Sequence, residues 1–209
     1  MQHVVLLGDS IFDNASYVPG GDPLIEQLRS RLPRGCRATL LAADGACISN
    51  IARQLSNVPS DASHLVVSVG GNDALQCSPV LNASITSSSE LFEELAQIQT
   101  EFFDEYRSML QLVAAAQRPT VICTIYDAIP DIGRDAVTAL SIFNDSIIRA
   151  GIDAGLPILD LRFVCNESRD YSSISSIEPS EIGGSKIARE IAYVLKSHDF
   201  SRAETVIYR

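Results

Sequence analysis

The sequence predicts an α/β fold, a three-layer α/β/α sandwich built around a five-stranded parallel sheet. Three observations carry this expectation. Short apolar runs of strand length recur along the chain, the pattern of strands covered on both faces. They alternate with stretches whose apolar residues fall three and four apart, the period of a helix packed on one side. Strands and helices in that alternation make βαβ units, whose right-handed crossovers bring all C-terminal strand ends to one edge. With 209 residues and neither repeats nor a linker, the chain reads as a single domain over 1–209.

The first strand is Val4 to Leu7, ending on the turn Gly8-Asp9-Ser10. A polar loop follows, with Pro19-Gly20-Gly21 as a turn signal. Asp22 is placed to cap a helix that starts at Pro23 and carries Leu24, Ile25, Leu28 and Leu32. Pro33-Arg34-Gly35 stops it. Cys36 to Ala42 is the second strand, running into the turn Ala43-Asp44-Gly45-Ala46. Ile48, Ile51, Ala52 and Leu55 then lie at helical spacing, and Leu65 to Val69 is the third strand, ending on Gly70-Gly71-Asn72-Asp73.

The segment from Gln76 to Thr86 is mostly polar and reads as a loop over the sheet edge. Ser87 to Glu90 has capping-box spacing and opens the longest helix. Its stripe of Leu91, Leu95, Ile98, Phe102, Tyr106, Met109, Leu110 and Val113 reads as core. Pro119 closes that helix, and Thr120 to Ile125 is the fourth strand. A helix around Arg134 to Ala154 follows, and Pro157 to Leu161 is the fifth strand. A loop over 162–179 leads to a last helix from Ser180 to Ser197.

Composition limits the function classes. The net charge of −10 disfavours nucleic acid and anionic membrane surfaces as partners. The five cysteines are scattered, with no Cys-x-x-Cys pair, so free buried thiols are expected rather than a disulfide framework or a zinc site. No ligand-spaced cluster points to a metal, and no cofactor motif stands out. No basic and apolar leader opens the sequence, and no apolar run approaches the ~20 residues of a membrane span. The expectation is a cytoplasmic protein acting on a small molecule.

The chemistry is suggested by three strand-end turns. Acyl transfer from a serine needs a base for its proton and donors for the oxyanion. Ser10, Gly45 and Asn72 each follow directly after a strand and should converge on one edge. Gly8-Asp9-Ser10, Gly45 and Gly70-Gly71-Asn72-Asp73 resemble the first three blocks of the SGNH, or GDSL, hydrolases, a family with a flavodoxin-like sandwich. The resemblance spans residues 4 to about 192. It implies Ser10 as nucleophile, and the amides of Ser10 and Gly45 with the side chain of Asn72 as the oxyanion hole.

The fourth block departs from the pattern. Where the family has Asp-x-x-His before the final helix, this chain has Ser175-Ser176-Ile177-Glu178, followed by Pro179. Glu178 stands at the place of the base and Ser175 at that of its orienting acid. No other histidine is placed to substitute. His3 and His64 open strands at the wrong end of the sheet, His3 about 20 Å from Ser10 at ~3.3 Å per residue. His198 lies about 27 Å along the last helix at ~1.5 Å per residue.

Two readings of Glu178 stay open. It is the base, its pKa raised by burial, and the protein hydrolyses a small acyl or acetyl ester through an acyl-enzyme on Ser10. Alternatively, the site keeps its pocket without turnover, and the protein is a small-ligand binding or regulatory module. An acyltransferase would share the acyl-enzyme logic. Asp13 and Asp170 are further loop acids within possible reach of the site.

Overall fold

The computed structural model describes residues 2–82 and 87–209. Its core is a parallel sheet of six strands: β1 (His3–Gly8), β2 (Arg37–Leu40), β3 (His64–Ser68), β4 (Thr120–Cys123), β5 (Ile158–Leu159) and β6 (Ile207–Tyr208). Their order across the sheet is β2-β1-β3-β4-β5-β6. The helices are α1 (Leu24–Arg31), α2 (Ile51–Leu55), α3 (Gly71–Gln76), α4 (Ser88–Ala115), α5 (Arg134–Asp153), α6 (Leu161–Val164) and α7 (Glu181–Ser197).

The three layers follow from strand geometry. Successive strand side chains point to opposite faces, so Val4 and Leu6 join α1 and α7 in one core. Val5 and Leu7 join α2, α4 and α5 in the other. The same division runs through β3 and β4, with Val66, Val121 and Cys123 on the first face and Leu65, Val67 and Ile122 on the second. A sheet buried on both faces needs apolar residues at every position, and that produces the continuous runs seen in the sequence.

The sheet has six strands rather than the expected five. The sixth is formed by the C-terminal tail, where Ile158 N–H donates to the Val206 carbonyl at 2.9 Å and Asp160 N–H to the Tyr208 carbonyl at 2.8 Å. A two-residue edge strand leaves no periodic signal. Ring packing of Tyr208 against Tyr193 and His198 secures it instead.

Other departures are local. α1 is not capped by Asp22. Leu24 N–H donates to Asn14 Oδ1 at 2.8 Å, so a residue of the preceding loop supplies the cap. The segment read as a loop from Gln76 is helical at first: α3 runs to Gln76 and a 3-10 turn covers Ser78–Asn82, while 83–86 lie outside the described residues. The loop over 162–179 holds a 3-10 turn at Ser168–Asp170. The long stripe on α4 is core only from Phe102 onward, for Leu95 and Ile98 wall a cavity.

Candidate active site

Ser10 is positioned by the end of β1. Gly8 has φ +137°, and a Cβ there would overlap the Ser68 carbonyl oxygen on the neighbouring strand. Only glycine tolerates that approach. Gln54 on α2 clamps the bend: its Oε1 accepts from Gly8 N–H and its Nε2 donates to the Gly8 carbonyl, both at 2.8 Å. Asp9 N–H donates to the Ser68 carbonyl at 3.2 Å, and Asp9 Oδ1 accepts from Ile11 N–H at 3.1 Å. The turn is thereby fixed, with Ser10 just past the strand and 6 % exposed.

Glu178 reaches Ser10. The Ser10 Oγ–H donates to Glu178 Oε1 at 2.9 Å, although 168 residues separate the two. The segment carrying Glu178 is held on several sides. Ser172 N–H donates to the Glu178 carbonyl at 2.8 Å, and Glu178 N–H to the Ser175 carbonyl at 3.0 Å. Tyr126 O–H donates to the Ile177 carbonyl at 2.6 Å, and Asn14 Nδ2 to the Pro179 carbonyl at 3.2 Å. Beyond it, Gly183 lets the start of α7 pack against the Asp170 carbonyl, which a Cβ would overlap.

Burial pushes the Glu178 carboxyl up to about 7, and the Asp44 charge adds to the rise. The hydrogen bond from Ser10 favours the ionised form and opposes it. Near neutral pH Glu178 therefore divides between acid and carboxylate, the condition suited to a general base. Its second oxygen, Oε2, is buried without a hydrogen-bond partner.

Asn72 lies on the first turn of α3, which begins after Gly70 at φ +119°. Its Nδ2 donates to the Ala46 carbonyl at 3.0 Å, leaving its other amide hydrogen unspent. That bond ties the 43–46 turn to α3, with Gly45 exposed at φ +75° and open space where a Cβ would stand. Ser10, Asn72 and Glu178 line one cavity, whereas Gly45 is not among its lining residues. Asp73 accepts from Ile48 N–H at 3.3 and 3.2 Å, and its carboxyl is raised to about 6 by burial.

Beyond these polar groups the cavity is apolar. Leu75, Leu95, Ile98, Ile125, Leu140 and Phe143, from α3, α4, the end of β4 and α5, form its walls. It measures about 930 Å³, solvent at its mouth included. The periodicity of Leu95 and Ile98 reads as core because a cavity wall and a core face carry the same spacing. Gln54 was also missed: a lone polar residue on a short helix gives no sign that it holds a turn.

The remaining acids and histidines are accounted for elsewhere. Asp170 is fully buried and accepts from Lys186 Nζ at 2.7 Å; it does not line the cavity. Asp13 Oδ2 accepts from Asp44 N–H at 3.1 Å. His3 sits between Asp61, at 3.1 Å, and Thr39, at 2.8 Å. His64 contacts Ser63 Oγ at 2.9 Å, and His198 contacts the Tyr208 hydroxyl at 3.0 Å. Among the described residues the five cysteines are free, no cluster of ligating side chains could hold a metal ion, and no helix is long and apolar enough to cross a membrane.

The comparisons bear on the family and the fold. The model of the GDSL-like lipase/acylhydrolase family matches residues 6–183. Among solved structures, the chain is similar to an extracellular lipase from Streptomyces rimosus, at 20% identity and TM-score 0.66 over 95% of this chain and 100% of that one. It is similar to the lipase Lip_vut3 from a goat rumen metagenome, at 18% identity and TM-score 0.71 over 92% and 97%. A phospholipase A1 from Streptomyces albidoflavus NA297 matches at 15% identity and TM-score 0.66 over 94% and 99%. At these identities the likeness is one of fold. No curated protein matches the sequence.

Proposed function

The chain belongs to the GDSL-like lipase/acylhydrolase family, and from that premise we propose that it hydrolyses acyl esters through an acyl-enzyme on Ser10, with Glu178 as the base. The observation that carries this reading is the 2.9 Å hydrogen bond from Ser10 to a buried carboxylate whose pKa stands near 7. In acylation, Ser10 Oγ attacks the ester carbonyl carbon while its proton passes to Glu178 Oε1. The carbonyl oxygen becomes an oxyanion facing the amides of Ser10 and Gly45 and the free amide hydrogen of Asn72. Collapse breaks the bond to the alcohol, which leaves with the proton from Glu178. Water then attacks the acyl-serine by the same route.

The apolar cavity favours an acyl chain longer than acetyl. Burial of each methylene is worth about 0.8 kcal/mol, so kcat/KM is expected to rise about fourfold per added methylene until the cavity is filled. The substrate is a small-molecule ester, no cofactor takes part, and the free thiols suit a reducing compartment such as the cytoplasm.

The test is intact-mass labelling with a fluorophosphonate, followed by a p-nitrophenyl ester series from acetate to decanoate. Stoichiometric labelling of the wild type and none of Ser10→Ala is the expected result. A folded wild type that neither labels nor hydrolyses any ester would overturn the proposal in favour of a ligand-binding module.

A further inference from the structure

Asp9 is the one buried acid at the site that the reaction above does not use. It is 1 % exposed and lines the same cavity as Ser10, Asn72 and Glu178. Its Oδ1 is held by Ile11 N–H, and its Oδ2 is buried without a partner. Oδ2 faces the start of α3, 3.7 Å from the place a Cβ on Gly71 would occupy, one residue before Asn72. A buried carboxylate with an unpartnered oxygen and no cation beside it is costly to ionise.

The groups that act on Asp9, or that feel its charge, come from every element packed around it. Glu178 and Asp73 are acids that disfavour its ionisation. Tyr106 on α4, Cys123 on β4, Tyr126 and Cys47 all feel the Asp9 charge, and burial pushes each of them up and holds it neutral. None of these groups is a cation.

We propose that Asp9 is the protonated member of a carboxyl pair with Glu178, and that its neutrality leaves the base as the one charged carboxyl lining the cavity. Asp9 is then a positioning residue. It does not touch the ester, but it sets the charge beside the place where the oxyanion forms. The pair ionises in order. Glu178 gives up its proton first, at about 7, with Asp9 still neutral. Asp9 follows at about 8, raised first by burial and then by the Glu178 charge. Ionised, it would bring a second negative charge to the cavity wall where the oxyanion must be accommodated, and acylation would slow. The proposal rests on Glu178 being the base, and it gives the hydrolysis a narrow pH optimum with a distinct residue behind each limb.

The experiment compares wild type with Asp9→Asn, which copies the shape and hydrogen-bonding donor of a protonated carboxyl and cannot ionise. Two readouts are taken on each: kcat/KM for a p-nitrophenyl ester from pH 5 to 10, and the infrared carbonyl band of protonated carboxyl groups over the same range. The expected wild-type profile is a bell whose alkaline limb falls at least tenfold by pH 9.5. In Asp9→Asn the acid limb stays in place and the alkaline limb disappears, and the protonated-carboxyl absorption at pH 7 falls to the part that Glu178 still contributes. An alkaline limb that persists in Asp9→Asn overturns the proposal while leaving the hydrolase reading intact. So does a folded Asp9→Asn that is inactive at every pH, since Asp9 would then be working as an anion. If the wild type hydrolyses nothing, the base reading falls, and the infrared band alone decides whether Asp9 holds its proton.

Discussion

The two ends of the sheet handle titratable groups in opposite ways. At the C-terminal strand ends, the buried carboxyls of Asp9 and Glu178 are pushed up to about 8 and 7, and the half-buried one of Asp73 to about 6. At the opposite end the three histidines are tied into local packing: His3 between Asp61 and Thr39, His64 with Ser63, and His198 against Phe200 and Tyr208. The residue type best suited to take a proton at neutral pH is thus spent on structure. In the proposed reaction the base is instead a carboxyl whose pKa is raised by burial. Burial moves a carboxyl pKa toward neutrality as effectively as replacing the side chain would, at a cost in stability.

The largest effect that would break this comparison is the loss of the proposed base. Glu178→Gln keeps the shape of the side chain and removes its capacity for the proton. Initial-rate kinetics at pH 7.5 should show kcat/KM lower by ~10²–10⁴, the range typical of general-base removal, with an unchanged circular dichroism spectrum. Asn72→Ala comes next, at ~10²–10³ in kcat with KM little altered, since the donor acts on the oxyanion rather than on the bound ester. A uniform rise in KM instead would place Asn72 in ground-state binding.

The same contrast predicts how stability varies with pH. Folded Glu178 titrates near 7 and Asp9 near 8, both well above the ordinary values of 4.5 and 3.8. The folded state therefore holds protons that the unfolded chain has released. Stability from these groups is complete below about pH 4 and is lost as the pH climbs through 7 and 8. Thermal melts should show the midpoint falling from pH 5 to 8.5. Glu178→Gln should flatten that fall and be the more stable protein at pH 8.5, by up to about 3 kcal/mol. A wild-type midpoint that rises over this range would contradict the buried-acid picture.

The sequence made the front of the site legible and the sides of it less so. Gly8-Asp9-Ser10 and Gly70-Gly71-Asn72 could be read because each closes a buried strand, and strand ends of a parallel sheet share an edge. Glu178 was found by the place it occupies before the last helix. Its contact with Ser10 and its raised pKa depend on the pinning by Tyr126, Asn14 and Ser172, which no local pattern encodes. The cavity was hidden because Leu95 and Ile98 obey the periodicity of a core face. β6 was hidden because two residues at a sheet edge cannot show a period.

The smallest effect tests the quiet end. His3 is 4 % exposed, and both its ring nitrogens are engaged, one by an exposed carboxylate and one by the Thr39 hydroxyl of the neighbouring strand. Burial and the Arg37 charge lower its pKa, which favours the neutral imidazole. Replacing it with Gln keeps a polar side chain at the position but cannot satisfy both partners at once. The cost should be about 1 kcal/mol, the usual net value of one hydrogen bond, read as a lower midpoint in urea with an unchanged slope. The rate of ester hydrolysis and the pH of both its limbs should stay within about twofold of wild type, since sites far apart and without shared partners act independently. A shift of the acid limb in His3→Gln would mean that the two ends of the sheet are electrostatically joined, and that Glu178 alone does not set the base.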